Sequence, residues 1–68
     1  EPRALRDLAI AYGRAGEDGL AALATAERLA LAGDFAEAEV LARRAMGLLP
    51  TGSPAWLRAD DIATVARE

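Results

Sequence analysis

The sequence contains no cysteine and no histidine. These absences exclude disulfides, thiolate metal sites and the commonest zinc ligand, so we expect no metal and no cofactor in the chain. Valine and isoleucine occur only twice each, and aromatic residues make up 4% of the 68 residues, which is too little material for a β-sheet. The 53% of residues that are hydrophobic are mostly alanine and leucine, the strongest helix formers. The sequence therefore predicts one small all-α domain over residues 1–68.

Lysine is also absent, and the eight arginines are interleaved with eleven acidic residues. The net charge of −3 and the lack of a basic face argue against a nucleic-acid partner. No apolar run approaches the roughly 18–20 residues of a membrane span. Because the chain opens on Glu1-Pro2-Arg3 without a methionine or a signal-peptide pattern, we expect it to be a piece of a longer protein.

Apolar residues at three- and four-residue spacing predict four helices, over about residues 3–14, 19–32, 35–48 and 54–66. Asp18, Asp34 and Ser53 are predicted to cap the second, third and fourth helices, and Pro54 suits a first helical position. Gly33 is predicted to end the second helix as a left-handed residue. The connections are short, so consecutive helices should pack antiparallel.

The third helix carries alanines at fixed offsets. Close packing of two helices requires small side chains where the backbones cross and larger ones beside them. Ala38 and Ala45 are the predicted crossing points, with Phe35 and Leu41 filling the adjacent space. The inward face of this helix is predicted to consist of Phe35, Ala38, Leu41, Ala42, Ala45 and Met46.

The spacing of Gly33-Asp34-Phe35, Ala38, Ala45 and Pro50 resembles the tetratricopeptide repeat, a helix-turn-helix unit of about 34 residues. One repeat would start at Gly19. Trp56 matches the tryptophan of a following repeat, whereas Ala22, Thr25 and Ala26 depart from the tryptophan, leucine and glycine of the first helix. The resemblance implies an antiparallel helix-turn-helix solenoid segment of four helices, with one complete repeat between two half repeats. A generic four-helix bundle is the alternative.

Two further stretches, "LAIAYGR" and "LLPTGSPAWLRADDI", make the chain similar to the C-terminal repeat region of BepA-like periplasmic zinc metallopeptidases, relatives of the CaaX prenyl proteases. This resemblance implies a periplasmic location; without it the sequence indicates no compartment. The zinc-binding H-E-x-x-H helix of those enzymes requires two histidines, which this chain lacks. Any peptidase chemistry of such a parent protein would therefore lie outside this chain.

Four other groups of residues have both a functional and a structural interpretation. Asp60-Asp61 suggest a metal or acid–base pair, but adjacent helical residues point about 100° apart and fit a solvated face better. Arg58 lies three residues before Asp61 and is predicted to pair with it. Arg43-Arg44 suggest a phosphate or nucleic-acid contact, but two arginines near a helix C-terminus are explained by the helix dipole. Tyr12 and Trp56 suggest a stacking platform for a ligand, but aromatics at these positions fit packing between helices better. Gly13, Gly16 and Gly19 lack the flanking strand of a dinucleotide-binding loop and are interpreted as an ordinary loop.

The repeat resemblance implies a binding groove lined by the first helix of each repeat. The candidate residues are Leu20, Leu23, Glu27 and Leu31 from the second helix, and Leu57, Arg58 and Asp61 from the fourth. Such a surface fits a protein or peptide partner, and fits equally the parent's own catalytic domain.

We therefore expect a non-catalytic interaction or regulatory module, the accessory region of a zinc metallopeptidase. The alternative is a repeat from a cytosolic scaffold or regulator with no protease attached. An enzyme is disfavoured because no nucleophile–base pair and no metal-ligand set is present. Since about three repeats are normally needed for stability, we also expect the chain either to be marginally stable or to self-associate. The expected contact faces are Leu5, Leu8 and Tyr12, or Trp56, Ile62 and Val65.

Overall fold

A computed structural model describes residues 1–68 and contains four α-helices and no strand. The all-helical prediction is confirmed. The helices are α1 (Pro2–Arg14), α2 (Asp18–Leu31), α3 (Phe35–Leu48) and α4 (Pro54–Arg67).

Three of the predicted helix boundaries follow from local hydrogen bonds. Asp34 Oδ1 accepts from the Glu37 N–H at 3.3 Å, and Ser53 Oγ accepts from the Trp56 N–H at 3.2 Å, so both residues cap helices as predicted. Gly33 adopts the predicted left-handed conformation, with φ of +81°. The Asp34 N–H bonds back to the Leu29 carbonyl at 2.9 Å, which completes the glycine-terminated end of α2.

The predicted cap of α2 is wrong. Glu17 occupies the capping position, makes no side-chain capping bond, and leaves Asp18 as the first residue of the helix. The physical reason lies in the preceding turn, where Gly16 has φ of +79° and the Glu17 N–H donates to the Tyr12 carbonyl at 2.8 Å. Because of this turn, α2 begins at Asp18, one residue before its predicted start. Asp18 then stabilises the helix through the dipole, because its negative charge lies in the first turn.

The helices pack in an open order around α2. Helix α2 contacts α1, α3 and α4, and α3 also contacts α4. No Cα atom of α1 lies within 8 Å of α3 or α4. The first and last helices therefore do not close against each other, and the molecule is a slab of 33 × 27 × 16 Å. None of the four helices combines the length and hydrophobicity needed to cross a lipid bilayer.

The core consists almost entirely of alanine. Only ten of the 68 residues are buried, because a slab this thin leaves most side chains with one face in solvent. Ala38 and Ala45 have no exposed surface, which agrees with their predicted place at helix crossings. Half-buried Leu41, Met46 and Ile62 pack against two adjoining clusters. The buried members of those clusters are Ala22, Leu23, Ala45 and Ala59 in one, and Ala26, Ala42 and Ala63 in the other.

Phe35 does not fill the core as predicted. It is 47% exposed because it lies at the tip of the α2–α3 turn, in the first position of α3, where no further helix covers it. Leu41 and Met46 occupy the space beside the crossings instead. Leu57 and Val65 of α4 are exposed as well, so their side chains contribute little to the core.

The interpretation of three glycines as one loop is also corrected. Only Gly16 lies in the loop, whereas Gly13 belongs to α1 and Gly19 to α2. Gly19 is buried, and a Cβ atom placed there would lie 2.9 Å from Leu49 Cγ and Cδ2 and 3.3 Å from the Leu48 carbonyl carbon. Glycine at this position allows the end of α3 to approach the start of α2 closely.

Candidate functional site

A groove runs between α2 and α4, with the start of α1 along one side. It has a volume of about 430 Å³ and opens to solvent. We call it the α2–α4 groove; its lining residues are Leu5, Glu27, Ala30, Leu31, Arg58, Asp61 and Ile62. Helical geometry explains the set, since residues three and four positions apart share a face of α2 and likewise of α4.

An ion pair joins the two main walls of the α2–α4 groove. Arg58 Nη2 on α4 lies 2.7 Å from Glu27 Oε1 and 2.6 Å from Glu27 Oε2 on α2. A charge-assisted contact of this length is at the short end of the usual range. Because both charges take part, they largely neutralise each other inside the groove.

Asp61 is the third charged residue of the α2–α4 groove. The predicted pair between Arg58 and Asp61 is absent, since Arg58 turns across the groove to Glu27. Asp61 makes no ion pair and no side-chain hydrogen bond, and it is exposed. One negative charge in the groove is therefore left without a protein partner.

A second depression adjoins the α2–α4 groove at its far end. We call it the Phe35 notch; it is lined by Ala30, Phe35, Asp61, Ile62 and Val65 and has a volume of about 210 Å³. Ala30, Asp61 and Ile62 line both depressions. All lining residues of the notch except Asp61 are apolar. The groove and the notch therefore form one continuous surface, with Asp61 where they meet.

The structure places the seven predicted groove residues in different surroundings. Glu27, Leu31, Arg58 and Asp61 line the α2–α4 groove together. Leu23 is only 2% exposed and belongs to the core, so it offers no surface to a partner. Leu20 is half-buried and Leu57 is exposed, and neither lines the groove.

Sequence reasoning missed three lining residues and the whole Phe35 notch. Ile62 follows Arg58 by four positions and Ala30 follows Glu27 by three, so helical spacing contained the signal for both. Leu5 had no such signal, because its place at the groove depends on how α1 packs against α2.

The other candidate residues do not form sites. No group of three or more His, Cys, Asp or Glu side chains converges anywhere in the chain. Arg43 and Arg44 precede the last turn of α3, so the dipole explanation is wrong, and Arg43 Nε instead donates to Glu39 Oε2 at 3.0 Å. Tyr12 and Trp56 are each half-buried, on α1 and α4 respectively, and no Cα atoms of these two helices lie within 8 Å of each other.

A smaller depression is lined by residues of α1, α2 and α3 and has a volume of about 270 Å³. Its polar lining includes Asp18, Thr25 and Arg44. The Thr25 hydroxyl donates to the Ala21 carbonyl of its own helix at 3.0 Å, so its proton is already used within the chain.

No protein-family model, no curated protein and no solved structure matches the chain.

Proposed function

We propose that the chain is a non-catalytic interaction module with tetratricopeptide-like architecture, which binds a protein or peptide in the α2–α4 groove. The helix order supports the architecture. In such a repeat the first helices of successive units lie side by side, and α2 and α4 have that relation here, with α3 packed against both. The Gly33-Asp34-Phe35 turn, the buried Ala38 and Ala45 and the terminating Pro50 fit the same repeat.

The observation that carries the proposal is the α2–α4 groove itself. It is an open concave surface lined by four apolar residues and three charged ones, a mixture that offers both apolar contact and charge to a partner. The Glu27–Arg58 pair spans its walls and restrains their side chains. A groove held in this way is partly organised before a partner arrives, which lowers the entropy cost of binding.

A peptide-display selection on the full chain tests this proposal. Peptides enriched on the protein should lose binding to Leu31→Glu, because Leu31 lines the groove and is 62% exposed. Val40→Glu is the matched control, since Val40 is 57% exposed on α3 and lines neither depression. Peptides that bind both variants equally well would show that the groove is not the binding surface. The absence of any enriched peptide would contradict the interaction function.

The non-catalytic part of the proposal rests on the residue types present. The chain has no histidine and no cysteine, and no group of three or more Asp or Glu side chains is placed to hold a metal ion. Incubating the purified protein with zinc and casein should give neither substrate turnover nor stoichiometric tight binding of zinc. Turnover of casein, or stoichiometric tight binding of zinc, would contradict the non-catalytic assignment.

We further propose that the module belongs to a periplasmic zinc metallopeptidase of the BepA-like type and regulates access to its active site. The two stretches "LAIAYGR" and "LLPTGSPAWLRADDI" support this relation. The coding sequence upstream of Glu1 tests it. A signal peptide followed by an H-E-x-x-H helix is the expected result, whereas further repeats without that helix would favour a scaffold protein.

A further inference from the structure

We infer that the partner segment bound at this surface is a cationic peptide, in which one arginine or lysine lies between two large apolar side chains. The inference rests on the proposed function and specifies the chemistry of the partner. It follows from the continuity of the α2–α4 groove with the Phe35 notch and from the charge at the point where they meet.

Two apolar side chains are required because the surface has two apolar depressions. The Phe35 notch has walls from Phe35, Ile62 and Val65 and a volume of about 210 Å³. An apolar cavity of about 150 Å³ is enough to hold benzene, so the notch has room for one large apolar side chain. The α2–α4 groove offers Leu5 and Leu31 to a second one.

A basic side chain is favoured because Asp61 lines both depressions and makes no ion pair within the chain. Glu27 lies 2.6 Å from Arg58 and offsets its charge, so the three charged lining residues Glu27, Arg58 and Asp61 together carry a net charge of −1. A peptide that places a cation between its two apolar side chains brings that cation to Asp61. A peptide with an acidic residue there would bring like charges together, which is unfavourable.

A second copy of this chain is a poorer occupant than a cationic peptide. Each copy carries a net charge of −3, so pairing two copies adds repulsion that a cationic peptide avoids. Electrostatic complementarity of this kind raises the association rate and the specificity more than the affinity. The expected preference is therefore for basic over acidic peptides of equal hydrophobicity.

The first test is the composition of peptides enriched by display selection on the full chain. We expect an arginine or lysine flanked by large apolar residues. Neutral or acidic peptides that still lose binding to Leu31→Glu would overturn this inference while leaving the proposed function standing. A selection that enriches nothing would overturn both.

The second test is the dissociation constant of one enriched peptide, synthesised and titrated by calorimetry. Asp61→Asn should weaken binding by a factor of about 2–5, the value of one exposed ion pair. Asp60→Asn is the matched control because Asp60 is the neighbouring acid and lines neither depression; its affinity should equal that of the unmodified chain. Equal weakening by both changes would indicate non-specific attraction and overturn the inference.

The third test concerns the Phe35 notch. Val65→Ser should weaken binding of the same peptide by at least about threefold, because an apolar wall is lost. Val40→Ser, at a similarly exposed valine outside the notch, should leave the affinity unchanged. Thermal melts of all variants establish that they are folded. Sedimentation that shows a dimer broken by Val65→Ser would identify a second copy as the occupant and overturn the proposal.

Discussion

A single nitrogen of Arg58, Nη2, contacts both carboxylate oxygens of Glu27, a residue 31 positions earlier in the chain. The two side chains are 61% and 25% exposed, respectively, so water screens much of their attraction. The pair is therefore expected to contribute little to the stability of the fold.

The first prediction concerns that ion pair. A double-mutant cycle with Glu27→Gln and Arg58→Gln should give a coupling free energy of about 0.2–1 kcal/mol that falls as salt is added. The measurement is urea denaturation of the four proteins of the cycle at low and high salt. The Glu39–Arg43 pair within α3 provides a comparison, with an expected coupling of about 0.3–0.5 kcal/mol. A large, salt-independent coupling between Glu27 and Arg58 would contradict the prediction.

The second prediction concerns the helix crossing at Ala38. Ala38→Leu should lower the free energy of unfolding by about 1–3 kcal/mol, because Ala38 has no exposed surface and the larger side chain forces the helices apart. Ala36→Leu is the control on the exposed side of the same helical turn, with an expected change within about ±0.5 kcal/mol. Equal denaturation midpoints for the two variants would mean that Ala38 is not at a close crossing.

The third prediction separates two helical glycines. Gly19→Ala should destabilise the protein by about 1 kcal/mol or more, because the added Cβ meets the Leu49 side chain at 2.9 Å and the Leu48 backbone at 3.3 Å. Gly47→Ala has no atom within 4 Å of its new Cβ and should stabilise by about 0.5 kcal/mol through the lower backbone entropy of the unfolded chain. Chemical denaturation of both variants measures the difference. A stabilising effect at both positions would show that α2 and α3 do not approach closely at Gly19.

The fourth prediction concerns association through α1. This helix packs only on α2, and its Leu8, which shares a helix face with Leu5 and Tyr12, is 42% exposed. We expect the chain to be marginally stable and to self-associate weakly through this face, with a melting temperature that rises with protein concentration. Sedimentation across a concentration series, repeated with Leu8→Glu, measures the effect. A monomer with a high, concentration-independent melting temperature would contradict it.

The helix ends that the sequence predicted correctly depend on neighbouring residues alone. Gly33, Asp34, Ser53 and Pro54 act through backbone conformation and through hydrogen bonds spanning three residues. The start of α2 differs from its prediction because the left-handed Gly16 and the bond from the Glu17 N–H to the Tyr12 carbonyl place Glu17, rather than Asp18, at the capping position.

The contacts that the sequence could not predict depend on tertiary packing. Arg58 has an acidic neighbour at Asp61, within reach along the helix, yet the arrangement of α2 and α4 brings Glu27 closer. Likewise, the exposure of Phe35 and the position of Leu5 at the groove depend on which helices cover them. Helical periodicity identifies a face of a helix but not the element that lies against it.

The alanine core has a consequence for how this chain tolerates mutation. Proteins commonly lose stability when a bulky interior side chain is truncated, because the change leaves a cavity. Here all buried apolar residues except Leu23 are already alanine, so truncation has almost nothing to remove. Alanine scanning, the usual route to finding structurally important positions, would therefore miss most of this interior. The informative changes enlarge the side chain, and sequence drift at these sites is confined to residues about the size of alanine.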